Sequence, residues 1–431
     1  MQGLRTNSPK LRRLTYTATA AVLTMCAALP GTTDAKLSHG KAQQPKAHRP
    51  KPKAHRPKPK PTPAPPAALY AETNNGTANQ LLVFRRATNG TLSLRQTVAT
   101  GGKGGLQAEP GCAPPGGCPL LDASDEVAIT KDAKLLFAVN AGSNTISSFS
   151  LSKSGAKLVE AVGSGGQFPN SLTIHGDELY VLNNNSANIA GFKFTSRGQL
   201  TAIPRSIQAL TTEHAPFSRQ IGFDNTGKLL VVSHLTDASF DTFPVTHGVA
   251  GPAVNHPSAS AEPFSFAFDP YNHLIDTEIV NDMDLTQSSN ASSYALSSTG
   301  ALTAINTVPT RGYGACWTQI SADGKQVYQV NTGGPSPFGT TVSSFALSPS
   351  GKLTFESVTP SDGEFTLTDE WLSPGSRYLY VVSPLIDNPA SMPTSNGSRI
   401  VTFSVGAHGK LTRLGQTSAM LAPGLTGLVG S

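Results

Sequence analysis

The sequence predicts an all-β fold, and three observations carry that expectation. Charged residues make up only 14% of the chain, while 41 Gly and 33 Pro punctuate it. No long amphipathic helical pattern follows residue 60. From residue 68 onward, short apolar runs alternate with turn signals in a recurring order.

The recurring unit shows in "DEVAITKDAKLLFAVNAGSNTISSFSLSKSGAKL" (125–158), in "FPNSLTIHGDELYVLNNNSANIAGFKFTSRGQL" (168–200) and in "ACWTQISADGKQVYQVNTGGPSPFGTTVSSFALSPSGKL" (315–353). Further copies begin near Pro216, Pro263 and Phe365. Gly155, Gly198, Gly300, Gly351 and Gly409 mark the register, with gaps of 43, 102 across two copies, 51 and 58. A β-only unit of roughly 40–50 residues is the signature of a propeller, each unit a four-stranded blade. The first copy, "ALYAETNNGTANQLLVFRRATNGTL" (68–92), lacks an inner strand. The last residues, "LAPGLTGLVGS" (421–431), resemble an inner strand without a successor. Joined, they complete one blade and give a seven-bladed β-propeller over residues 68–431, closed by both ends of the chain.

Two segments precede it. Lys10, Arg12 and Arg13 lead into an apolar run from Ala18 to Leu29, and Thr33-Asp34-Ala35 supplies small residues for cleavage. Residues 1–35 therefore match an export signal. Met25 makes the sequence before Cys26 a poor lipoprotein box. Residues 36–67 contain "KAHRPKP" twice in succession and are expected to form an extended, disordered linker. Of 33 basic residues, four lie in 1–35 and nine in 36–67, leaving 20 against 26 acids from residue 68 onward. The chain's +6 thus belongs to its leading segments, and the body is near −6. The linker could contact an anionic wall polymer or surface, or serve as a soluble spacer. Nucleic acid is not expected, because no basic surface is interleaved with aromatics. Deleting 36–67 is expected to leave the melting temperature of the body unchanged; a large drop would show that the linker supports the fold.

In an oxidising compartment, Cys112 and Cys118 in "GCAPPGGC" are expected to form a local disulfide, and Cys316 to be a small buried hydrophobe. The chain lacks HExxH, a GxSxG elbow, a P-loop and paired CxxC motifs. No metal or cofactor is expected, and a monomer is. Asn140, Asn183 and Asn331, after second strands, are expected to bond their own turns. Propeller topology sends residues ahead of inner strands and after second strands to one face. That face gathers Asp125, Glu126, Arg219, His234, Glu278, Arg311, Asp369 and Glu370.

"FPNSLTIHGDELYVLNNNSANIAGFKFTSRGQLTAI" and "GACWTQISADGKQVYQVNTG" resemble the lactonase family of seven-bladed propellers, which includes 6-phosphogluconolactonase-like and 3-carboxymuconate cyclase-like proteins. The resemblance implies the opening or closing of a small anionic lactone without a metal. It also implies a site with a His and an Arg ahead of inner strands, and a Glu after a second strand. Here Arg219 stands where that His is expected, with His214 five residues earlier. Phe264 and Ser265 occupy the Arg-His position. Glu278, in "IDTEI", matches the Glu, and Arg311, in "TRGYGACW", could add a cation. The resemblance therefore nominates Glu278 as base, Arg219 and Arg311 as cations, and His214 or His234 as a reserve base. The alternative from another class is a non-catalytic extracellular propeller that binds a glycan, peptide or wall component.

Overall fold

A computed structural model describes residues 67–105, 121–211, 217–280, 287–332, 339–361, 367–383, 397–417, 421 and 424–431. The leading segments before residue 67, the Cys112–Cys118 pair and His214 all lie outside the described residues. Seven antiparallel sheets form the body, each ordered from an inner to an outer strand. Blade I is the closing blade. Its inner strand, Thr426–Gly430, pairs with Ala68–Glu72, which is followed outward by Gln80–Arg86 and Leu92–Ala99. Blades II to VII begin with the inner strands Val127–Ile129, Pro169–His175, Ser218–Phe223, Glu262–Phe268, Ala315–Ile320 and Thr368–Leu372. The expected closure by both ends is present, and it gives blade I its inner strand, so that Ala68–Glu72 is not left as a sheet edge.

The local chemistry accounts for these strands. Leu135–Asn140, LLFAVN, is buried at every position, as a second strand sandwiched between neighbouring blades must be. The outermost strands, such as Leu92–Ala99, alternate partly buried and exposed residues because one face meets solvent. The five register glycines all adopt positive φ, from 67° to 122°, at the hairpins before fourth strands. Residues with a Cβ rarely adopt that conformation, which explains why glycine recurs there.

Blades are cemented by apolar seams. Leu179, Val181 and Phe192 of blade III pack on Leu135, Phe137 and Val139 of blade II. Tyrosines stitch neighbours: Tyr180 Oη donates to the Gly248 carbonyl (2.9 Å) and accepts from Ala250 N–H (2.8 Å). Tyr380 Oη likewise donates to the Gly90 carbonyl at 2.9 Å. No helix among the described residues is long and apolar enough to cross a membrane.

Candidate functional site at the channel mouth

Six of the seven inner strands slip register against their second strands near the point where they start. The extra residue is Asn170 in blade III, Arg219 in IV, Cys316 in VI and Asp369 in VII. A β-bulge re-aims one side chain out of the strand's alternation. Here it turns polar groups toward the axis. Asn170 Nδ2 donates to the Ser218 carbonyl of the next blade at 2.8 Å. Asp369 Oδ2 accepts from Leu428 N–H of the closing strand. Cys316 is buried, and its Sγ lies 3.3 Å from the Gly314 carbonyl.

The axis itself is crossed by Leu121–Ser124, the segment ahead of blade II. Thr426 Oγ1 of blade I donates to the Leu121 carbonyl (3.4 Å), and Trp317 Nε1 of blade VI to that of Ala123 (2.9 Å). Ser124 Oγ meets Ser265 Oγ of blade V at 3.2 Å, while Ser124 N–H donates to the Arg219 carbonyl of blade IV at 3.1 Å. Four residues can touch blades I, IV, V and VI together only by lying over the channel. Arg219 is fully buried there. Its Nη1 donates to the Asp122 carbonyl (2.6 Å) and sits 3.2 Å from Asp122 Oδ2. The guanidinium also lies over the rings of Phe217 and Phe264, a desolvated setting that strengthens its field.

Carboxylates gather near blades I, II and VII. Burial pushes Asp125 up to about 6, against the lowering hydrogen bond from Gln220 Nε2 at 2.6 Å. Asp125 is half-buried and has φ of 60°, a strained conformation of the kind found at functional sites. Burial raises Glu126, Glu72 and Glu370 well above the usual carboxylate range, and the Asp369 charge adds to each. Burial, then Asp125, raises Asp369 itself. Among the described residues, no group of three His, Cys, Asp or Glu is arranged to hold a metal ion.

These shifts fix a pH dependence of stability. A carboxyl whose folded pKa is raised contributes stability that is fully present below its unfolded value near 4 and is lost as pH rises. Asp241 has the opposite sign. Burial raises it, but His234 and Thr211 outweigh that and hold it down at about 2, so its contribution is lost only in acid. The melting temperature is therefore expected to fall by about 5–10 °C between pH 5 and pH 8. Asp369→Asn, which keeps an acceptor for Leu428 N–H, should flatten that fall. A wild-type profile that rises over this interval would contradict the assignment.

The structure does not bring all the nominated residues to the channel. Glu278 is fully buried in the seam between blades IV and V. Its oxygens accept from Tyr294 Oη, Ser260 Oγ, Ser292 Oγ (2.7 Å) and Ala259 N–H (3.3 Å). Arg311 is exposed, and its guanidinium stacks 4.0 Å above Phe355 on the outermost strand of blade VI, at the rim. His234 Nδ1 meets Ser218 Oγ at 2.8 Å, and Nε2 lies 3.1 Å from Asp241 Oδ2. The order suggests a catalytic triad, yet all three residues are fully buried among the described residues.

Glu278 and His234 instead share a position with Asn140 and Asn331. Each sits at or near the end of a second strand and reaches the residue two beyond its partner's start on the third strand. Asn140 Nδ2 donates to Ser147 Oγ (2.7 Å) and Asn331 Nδ2 to Ser343 Oγ (2.8 Å). Those serines donate to the Thr100 and Thr310 carbonyls at the exit of the preceding blade, both at 2.7 Å. Asp241, bonded by Thr211 N–H at 2.8 Å, repeats the device in blade IV. Asn140 and Asn331 also bond across their own hairpins as expected, to Thr145 Oγ1 (3.2 Å) and Thr341 Oγ1 (2.9 Å), and through the serines they add a link from blade to blade. Thr100 Oγ1 even returns a bond to Asn140 Oδ1 at 2.5 Å.

Comparison with known proteins agrees with this architecture. The family described as Lactonase, 7-bladed beta-propeller matches residues 75–214. A candidate 6-phosphogluconolactonase from Bacteroides fragilis is 16% identical, with a TM-score of 0.59 over 86% of this chain and 100% of its own. A periplasmic gluconolactonase from Pseudomonas aeruginosa is 15% identical, with a TM-score of 0.58 over 84% and 98%. A protein from Lactobacillus plantarum is 17% identical, with a TM-score of 0.62 over 85% and 99%. No curated protein matches the sequence. The body is thus a seven-bladed β-propeller closed by both ends of the chain, and its residues 75–214 are similar to the family described as Lactonase, 7-bladed beta-propeller.

Proposed function

We propose that this protein is exported and acts on a small anionic lactone at the channel mouth. The observation that carries the reading is the pairing of two unusual groups around the crossing segment. Arg219 is a fully buried guanidinium at a bulge, and Asp125 is a half-buried carboxyl at about 6. The crossing segment covers the Arg219 side chain, so its desolvated charge would favour an anionic ring or developing oxyanion through space and not by contact. A carboxyl poised near neutrality suits a general base better than one at its ordinary value. In hydrolysis, Asp125 would take a proton from water as its oxygen attacks the carbonyl carbon. The ring C–O bond then breaks, and the proton passes to the departing alkoxide. Glu278 fits that role less well, because its oxygens already accept four hydrogen bonds within the seam.

One observation favours a non-catalytic binding propeller as the second reading. Asp122 already lies against Arg219, so the chain itself supplies an anion at the mouth. Incubating the full chain with sugar lactones, muconolactones and acyl-homoserine lactones separates the two. Consumption of an anionic lactone is expected. If none is consumed, the binding reading takes its place.

A further inference from the structure

The geometry points to a second site, on the outer side of the ring, that binds a phosphate-bearing polymer in the groove between blades I and II. This groove encloses about 640 Å³ and is lined by Arg85, Arg86, Arg95 and Lys153, with Gln96, Ser152 and Ser154 between them. Among the described residues no carboxylate side chain lines it, although the body carries more acids than bases. The cations come from separate elements, which fixes their spacing. Arg85 lies near the end of the third strand of blade I, Arg95 on its fourth strand, and Lys153 in a hairpin of blade II.

The groove is held open by a built contact. Gln96 Nε2 donates to the Ala156 carbonyl, and Gln96 Oε1 accepts from Ala156 N–H, both at 2.9 Å. That two-point clasp sets the distance between the blades along the groove. Arg86 turns its guanidinium the other way: Nη2 donates to the Ser431 carbonyl at 3.0 Å, and the group lies over Trp371 of blade VII. Arg85, Arg95 and Lys153 are exposed and have no ion pair among the described residues.

A single exposed cation gains little from an anion in water. Several like charges along a concave surface focus the potential and favour a ligand that repeats its charge. Guanidinium forks pair with phosphate oxygens two at a time, and the serine hydroxyls and Gln96 can donate to a polymer backbone. Ala67 also lines the groove. A chain of phosphodiesters is the ligand that this spacing and charge fit.

The test uses the full chain and a fluorescent poly(glycerol phosphate) oligomer, followed by anisotropy at low and physiological salt. Arg85→Glu/Arg95→Glu/Lys153→Glu should weaken binding at least about tenfold and reduce its salt dependence. Lys228→Glu/Lys352→Glu/Lys410→Glu changes net charge equally, at exposed positions away from the groove, and should change affinity about threefold or less. Should the groove variant melt early, the three Gln substitutions replace it, with a smaller loss in the same direction expected. Equal losses in both variants, or none in either, would overturn the proposal and assign binding to net charge or to the leading basic stretch. Inorganic phosphate competing at equal phosphate concentration would overturn the polymer requirement. Groove-dependent binding to anionic lipid vesicles without binding to the oligomer would replace the polymer with a membrane surface.

Discussion

Removing residues 421–431 is expected to abolish the soluble folded protein. Those residues supply the inner strand of blade I, with Leu69 facing Gly430, Tyr70 facing Val429 and Glu72 facing Thr426. Leu425 and Leu428 sit in one cluster with Leu69, Ala71, Tyr380 and Ile400. Burying two leucines is worth about 3–6 kcal/mol together, a large share of the roughly 5–15 kcal/mol that holds a domain folded. The loss does not end there. Thr426 Oγ1 bonds Glu126 at 2.5 Å and Leu428 N–H bonds Asp369, so two buried carboxyls would lose their donors. Ala68–Glu72, buried throughout, would become an open edge able to pair with another chain. Expression of the truncated chain should give aggregate on size-exclusion chromatography. A monomeric, cooperatively melting product would show that closure is dispensable.

The second large effect concerns chemistry. Asp125→Asn is expected to lower turnover of the lactone by roughly 10²–10⁴ with little change in melting temperature, the usual worth of a general base. The fold should tolerate the exchange, because Gln220 Nε2 can donate to an amide oxygen as it does to Asp125 Oδ2. Asn also accepts positive φ more readily than most residues. Glu278→Gln makes the useful comparison. It removes a charge from a seam in which Tyr294, Ser260 and Ser292 all donate, so its main cost should appear in stability. If Glu278→Gln loses turnover while Asp125→Asn does not, the roles of the two carboxylates are exchanged.

How the sequence foreshadows these results depends on the feature. Periodicity and turn glycines reach the ring, its blade count and its closure, because a blade's alternation and its positive-φ hairpins leave local marks. The set of residues at strand ends was legible for the same reason. Their direction was not. Arg219 and Asp369 turn toward the axis through bulges that insert one residue, and a one-residue slip reverses the face of every side chain near it. Glu278 and His234 occupy the Asn140 position in their blades. A shared position signals a blade anchor only when copies are compared in register, partner strand included. The crossing of Leu121–Ser124 had no sequence signal either, since its bonds reach residues up to 305 positions away.

The most direct test of the central claim is the pH dependence of kcat/KM for the lactone that the full chain consumes. Asp125 must be unprotonated to act as a base, so kcat/KM should rise with pH through a midpoint near the Asp125 value of about 6 and level off above it. Asp125→Asn should abolish that limb together with most of the activity. A wild-type profile that is flat across pH 5–7, or an unchanged acidic limb in Asp125→Asn, would contradict the account and remove Asp125 from the chemistry.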